Sequence, residues 1–250
     1  LLYIIFFTIG LWDDVKNLSP KVRTFIIILS LILLTQFESD FVVNKLIFKS
    51  TNREIILGNF SLIFTIFCIF ALYNALNFID GFNGAATSII IFWTLFLLIK
   101  NPNLLYFFTI INMILVFLYN LSGRIFLGNS GTSILSIFFS LSIINDYNTI
   151  NTLYADEILF ILLFPGIDMI RVTFERIKNK KKIYYPDKTH FHHYLIKKDI
   201  RYIWQLMLIL TLMPLSIFYL IENINLTIII FTFVYFGLLL KIRKKNNATS

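Results

Sequence analysis

The chain has 250 residues, of which 58% are hydrophobic, 28 are Phe and 14% are charged, where a soluble domain carries about 25% charged residues. This composition excludes an ordinary soluble domain and places the chain in the membrane class. A single cysteine, Cys68, excludes an intrachain disulfide framework and argues against a cysteine-based metal site.

In chain order, the first 12 residues, LLYIIFFTIGLW, carry no basic n-region and do not resemble a signal peptide. They read as a membrane helix entered partway along, so the first membrane helices of the protein are expected to be missing. Further apolar segments run near 23–37, 60–78, 85–99, 104–121, 131–145, 157–173, 203–221 and 226–240. A spanning helix needs about 20 apolar residues. The expected architecture is therefore all-α, a polytopic membrane bundle of about eight or nine spans forming one domain over 1–250. Residues 41–58 are too polar to span. They read as a short periplasmic β-hairpin turning near Ser50-Thr51-Asn52. Residues 174–201 form a long polar loop.

The net charge is +8. In a membrane protein Lys and Arg collect in cytoplasmic loops. If the 1–12 segment ends in the cytoplasm and sides alternate, every Lys and Arg falls on the cytoplasmic side except Lys45, Lys49, Arg53 and Lys100. The KNKKK cluster at 178–182 and the KIRKK tail then orient the protein and touch anionic lipid. No nucleic-acid partner is read from the charge.

Four polar stretches interrupt the apolar pattern, all on that same side. Ionisable groups at such positions are costly unless they bind or react with something. Asp13 and Asp14 close the first segment. Adjacent carboxylates repel, and a divalent cation held by oxygen ligands relieves the repulsion; a solvated helix end beside Lys16, Lys21 and Arg23 is the plainer alternative. NALNFIDGFNG (74–84) repeats Asn74, Asn77 and Asp80 at helical spacing, with Gly81 and Gly84 beyond them. Inter-helix hydrogen bonding by Asn is the alternative there. FLGNSGTS places Asn129 and Ser130 at a helix start. Free backbone N–H groups there suit an anion, and a plain cap by Ser130 or Thr132 is equally compatible. PDKTHFHHYL (186–195) holds all three histidines of the chain, His190, His192 and His193. Their spacing does not match zinc ligation, and with Lys188 they form a donor cluster suited to phosphate or nucleotide oxygens.

Carboxylates for a metal and a cationic donor loop, on one face of a membrane bundle, suit a nucleotide or diphosphate and a lipid phosphate. Phosphoryl transfer between them depends mostly on positioning and charge neutralisation.

GLWDD with LSPKVR, NALNFIDGFNG, FLGNSG, PGIDMIRV and PDKTHFHHYL together resemble, in order and spacing, the polyprenyl-phosphate N-acetylhexosamine-1-phosphate transferases. These are relatives of the phospho-MurNAc-pentapeptide transferase of peptidoglycan synthesis. The PDK–H–HH form resembles the HexNAc-1-phosphate branch rather than the MurNAc branch with its three consecutive histidines. The resemblance implies a UDP-N-acetylhexosamine donor, an undecaprenyl phosphate acceptor, Mg²⁺ (with Mn²⁺ as a substitute) and a bacterial plasma-membrane site facing the cytoplasm. The lipid-linked product would begin a surface polysaccharide such as O-antigen, and a homodimer is compatible with it.

By the resemblance, Asp13, Asp14 and Asp80 are catalytic, and Asp14, Asp80 and Asn129 hold the metal. Lys21, Arg23, Asn74, Asn77, Asn83, Lys188, His190, His192 and His193 contact the substrates. Two departures stand out. Asn83 replaces the second Asp of the family's D-G-x-D-G, and Asn129 replaces an Asp that ligates metal in most members. An amide oxygen ligates without adding charge, so weaker metal binding is expected. A weakly active or inactive member that binds lipid phosphate or nucleotide-sugar is the alternative reading, and a transporter is disfavoured because no inverted repeat is evident.

Overall fold

The computed structural model describes residues 2–150, 152–182, 189–197 and 202–247, the last four by their backbone alone. It divides into two compact units, Leu1–Ala155 and Asp156–Ser250.

The first unit contains α1 (Leu2–Lys16), α2 (Pro20–Phe37), α3 (Ser61–Ile79), α4 (Ala85–Lys100), α5 (Leu104–Leu121) and α6 (Gly128–Thr149). Local chemistry sets several of these starts. Ser19 accepts the Val22 N–H and Pro20 occupies the first helical position of α2, where its missing N–H is no loss. Asn103 caps α5 through the Leu105 N–H. The expected hairpin is present: β1 (Lys45–Phe48) pairs antiparallel with β2 (Arg53–Ile56), Phe48 opposite Arg53. Its stem is tied to the helices by hydrogen bonds from the Ile47 N–H to Tyr147 and from Asn148 to the Asp40 and Val42 carbonyls.

The second unit contains α7 (Ala155–Lys178), the six-residue α8 (Phe191–Ile196), α9 (Ile203–Ile221) and α10 (Ile224–Asn247). Each of the nine apolar segments is a helix, so the all-α membrane architecture holds. Among the described residues, five helical stretches are long and apolar enough to cross a membrane: Pro20–Phe37, Gly58–Ile79, Leu104–Leu121, Ile203–Ile221 and Ile224–Arg243. The others differ for physical reasons. Helix α4 is short, α6 carries a run of buried serines, and α7 carries Asp168 and Arg171 within its length.

α6 is the centre of the first unit and packs along α1. Gly10 of α1 permits the approach. A Cβ there would lie 2.4 Å from the Asn129 carbonyl oxygen and 2.5 Å from the Ser130 Cα. The absent side chain thus lets α1 deliver Asp13 and Asp14 to the first turn of α6.

Candidate active site

Around that first turn the structure gathers six of the expected residues. Asp14 accepts hydrogen bonds from the Asn129 N–H at 2.8 Å and the Ser130 N–H at 3.0 Å, one to each carboxylate oxygen. Asp80, the residue that ends α3, lies near the Gly128 N–H, which favours its ionised form. Two of the free N–H groups of α6 are therefore capped by the Asp14 carboxylate from elsewhere in the chain. Neither an open anion site nor a cap by Ser130 or Thr132 forms; Thr132 instead donates to the Gly128 carbonyl. Gly128, at φ +63°, makes room: a Cβ there would sit 2.9 Å from an Asp14 oxygen.

The two carboxylates are not equivalent. Burial works against ionisation of Asp14, but the hydrogen bonds from Ser130 and Asn129 outweigh it and hold the carboxyl below its ordinary range. Asp80 is pushed up to about 7 by burial and then by the neighbouring Asp14 charge, with the Gly128 N–H opposing. Two carboxylates that cannot both ionise cheaply form a site short of positive charge.

Their neighbours complete the cluster. Asp13 is buried and ion-paired with Arg23, so the basic residue from α2 is anchored at the end of α1. Asn77 donates to the Asn129 amide oxygen at 2.7 Å. Asn74 donates to the Phe70 carbonyl of its own helix, so its side chain joins α3 rather than the cluster. Lys21 is exposed in the first turn of α2, and Asn83 is half-buried in the loop after α3. Lys188 lies outside the described residues.

Oxygen ligands from Asp14, Asp80 and the Asn129 amide fit Mg²⁺ in kind. The set has only two acidic members, and among the described residues no group of three His, Cys, Asp or Glu gathers to hold a metal.

The histidines lie in the second unit. His190 precedes α8, and His192 and His193 lie within it. His190 and His192 are buried with parallel rings 6.0 Å apart, and His193 is half-buried. Burial, then the neighbouring His193 and His190, depress His192 to about 3. His192 is therefore neutral at physiological pH. It presents a neutral imidazole rather than the cation a histidine-rich loop suggests.

Further residues position these groups, and one of them, Asn120, carries no sequence motif of its own. Asn120 is buried; its amide oxygen accepts the Gly84 N–H at 2.6 Å and its amide nitrogen donates to the Ile125 carbonyl at 2.9 Å. It thereby links the loop after Asp80 to the loop before α6. Asp168 and Arg171, in the PGIDMIRV segment, form a buried ion pair at 2.6 Å, and Asp168 holds His190 and Phe191. The available signal was two opposite charges three residues apart inside an apolar helix.

A family model described as "Glycosyl transferase family 4" matches residues 1–146. The chain belongs to glycosyl transferase family 4. The matched region contains the whole carboxylate cluster at α6. The chain is 32% identical over 207 residues to the probable undecaprenyl-phosphate N-acetylglucosaminyl 1-phosphate transferase of Bacillus subtilis, covering 77% of this chain and 56% of that protein. It is 26% identical over 206 residues to the undecaprenyl-phosphate alpha-N-acetylglucosaminyl 1-phosphate transferase of Yersinia pestis, covering 76% and 55%. To the Thermotoga maritima protein of that name it is 25% identical over 208 residues, covering 82% and 62%. The chain spans a little over half the length of the curated relatives it matches. A membrane protein of this family is thus the identity the matches support.

Proposed function

We propose that this family 4 protein transfers an N-acetylhexosamine-1-phosphate from a UDP-sugar to a polyprenyl phosphate, undecaprenyl phosphate in a bacterium, at the cytoplasmic face of the plasma membrane. An oxygen of the lipid phosphate attacks the sugar-linked phosphorus. The bond to the bridging oxygen breaks, UMP leaves with the electron pair, and the lipid diphospho-sugar remains in the membrane. The product would begin a surface polysaccharide.

The observation that carries this reading is the pairing of Asp14 and Asp80 at the start of α6, where a cation must be supplied before a polyanionic substrate can be accepted. Asp14, Asp80 and the Asn129 amide oxygen would hold Mg²⁺, which neutralises the diphosphate charge when bound. Asp13 orients Arg23, whose guanidinium can meet a phosphate oxygen. Asn77 orients the Asn129 amide. His190, His192 and His193 serve the nucleotide-sugar, as the family resemblance implies.

The test is UMP release from a panel of UDP-N-acetylhexosamines, with undecaprenyl phosphate and Mg²⁺, by the full-length protein that carries this chain. Release with one sugar, lost in Asp80→Asn, supports the transferase and names its donor. Undiminished release after replacing Asp13, Asp14 and Asp80 together would overturn it.

One observation favours a second reading. The Asn129 amide oxygen adds no charge and already accepts from Asn77. A protein that binds lipid phosphate or nucleotide-sugar with little turnover follows from a weak metal site. Turnover that appears only in Asn129→Asp would favour it, and robust native turnover would remove it.

A further inference from the structure

Asp168 sits where α7, α8 and α10 meet, and it is the acceptor for four donors. Its Oδ1 accepts from the Arg171 Nη2 at 2.6 Å, the Tyr235 hydroxyl at 2.7 Å and the Phe191 N–H at 3.2 Å. Its Oδ2 faces the His190 Nδ1 at 3.0 Å. Arg171 is held in turn: its Nε donates to the Tyr235 hydroxyl, its Nη1 to Glu175 and its Nη2 also to the Thr189 carbonyl. Arg243 of α10 donates to Glu175 and to the Tyr194 hydroxyl, closing the network over the histidine helix.

We infer that Asp168 is a positioning residue that fixes His190 with its proton on Nδ1 and so determines what the ring's buried Nε2 can offer within the histidine cluster, an assignment whose bearing on turnover rests on the transferase reading. The argument is one of donors and acceptors. An ionised carboxylate can only accept, and the Arg171 guanidinium keeps this one ionised. The His190 Nδ1 must therefore carry the proton in the bond to Oδ2. The hydrogen bond made by one ring nitrogen determines what the other can offer. The adjacent backbone bond from Phe191 to the same carboxylate fixes the start of α8. The ring and its helix thus share one anchor.

Asp168→Asn discriminates this from a purely structural role. Three donors converge on the Oδ1 position, so the amide oxygen must take that place. The amide nitrogen then occupies the Oδ2 position and presents a donor to the His190 Nδ1. The ring can keep the contact only by accepting there and moving its proton to Nε2. Tyr235→Phe removes one donor but keeps the carboxylate, so it should perturb packing without reversing the tautomer.

The experiment is ¹⁵N NMR of histidine-labelled full-length protein in lipid bilayers, with the His190 signals identified by their loss in His190→Gln. The expected native spectrum has a protonated Nδ1. Asp168→Asn should show a protonated Nε2 and an unprotonated Nδ1, and Tyr235→Phe should keep the native pattern. UMP release should fall about 10- to 100-fold in Asp168→Asn and much less in Tyr235→Phe. An unprotonated Nδ1 in the native protein overturns the inference, as does a protonated Nδ1 retained in Asp168→Asn. If Asp168→Asn does not fold, the native spectrum decides alone. If the native protein releases no UMP with any sugar, the transferase reading fails, while the spectra still decide what Asp168 does to His190.

Discussion

Both carboxylate oxygens of Asp14 are bound by backbone N–H groups of α6, those of Asn129 and Ser130. A helix N-terminus carries a partial positive charge and stabilises an anion placed on it. Here the anion comes from a distant part of the chain, so the same bonds cap α6 and fix the end of α1. Asp14→Ala should therefore lower stability by about 0.5–2 kcal/mol, the usual cost of a lost cap. Because Asp14 is held below its ordinary pKa, its contribution is present above the unfolded carboxylate range near 3.9 and is lost as pH falls through its folded value. Thermal unfolding in detergent, native against Asp14→Ala, should show a difference at pH 7 that shrinks on acidification.

Gly10 tests the same junction by size rather than charge. A methyl group at this position meets the Asn129 carbonyl and the Ser130 Cα, both backbone atoms. They cannot swing aside as a flexible side chain would. Overpacking of this kind typically costs about 1–3 kcal/mol. Gly10→Ala should lower the melting temperature and, by moving α1 off α6, reduce UMP release even though it removes no polar group. Unchanged turnover would show that the site tolerates a shift of α1.

The helices were readable because an apolar run of membrane length has few alternatives, and the hairpin because a polar interval with a turn-forming Ser-Thr-Asn separates two β-prone strings. The cluster was readable as a set of motifs, although its internal wiring was not. Asn74 and Asn77 look alike in sequence, yet one bonds to its own helix and the other to Asn129. The difference is rotation about the α3 axis relative to α6, which tertiary packing sets. Asn120 gives no signal at all: a single Asn in an apolar helix acquires its role only from where the loops after Asp80 and before α6 end up. The histidines were legible as a group, while their burial was not. Depression of His192 follows from its burial and from the neighbouring His193 and His190.

Removing metal should expose the repulsion between Asp14 and Asp80. At pH 8 Asp80, with its carboxyl near 7, is mostly ionised and faces the Asp14 charge without a counter-ion. In chelator at that pH, Asp80→Asn should melt at a higher temperature than the native protein, because the amide removes the like charge. Mg²⁺ should raise the native melting temperature and have a much smaller effect on Asp80→Asn. A native protein indifferent to both chelator and Mg²⁺ would argue against these carboxylates as a cation site.

The final prediction concerns pH and the histidine helix. Burial holds His192 neutral, with a folded pKa of about 3 against about 6.5 in an unfolded chain. Between those values the unfolded state binds the extra proton and the folded state does not. The stability of the helix around His192 is therefore complete above about 6.5 and falls as pH drops from there toward 3. The loss should appear first as local opening, because α8 has only six residues and few bonds of its own. Hydrogen exchange of the α8 amides, corrected for intrinsic rates, should lose protection from pH 7 to pH 5 in the native protein. In His192→Gln, which cannot take up the proton, this part of the pH dependence should vanish. An equal loss of protection in that variant would rule out His192 as the source of the sensitivity.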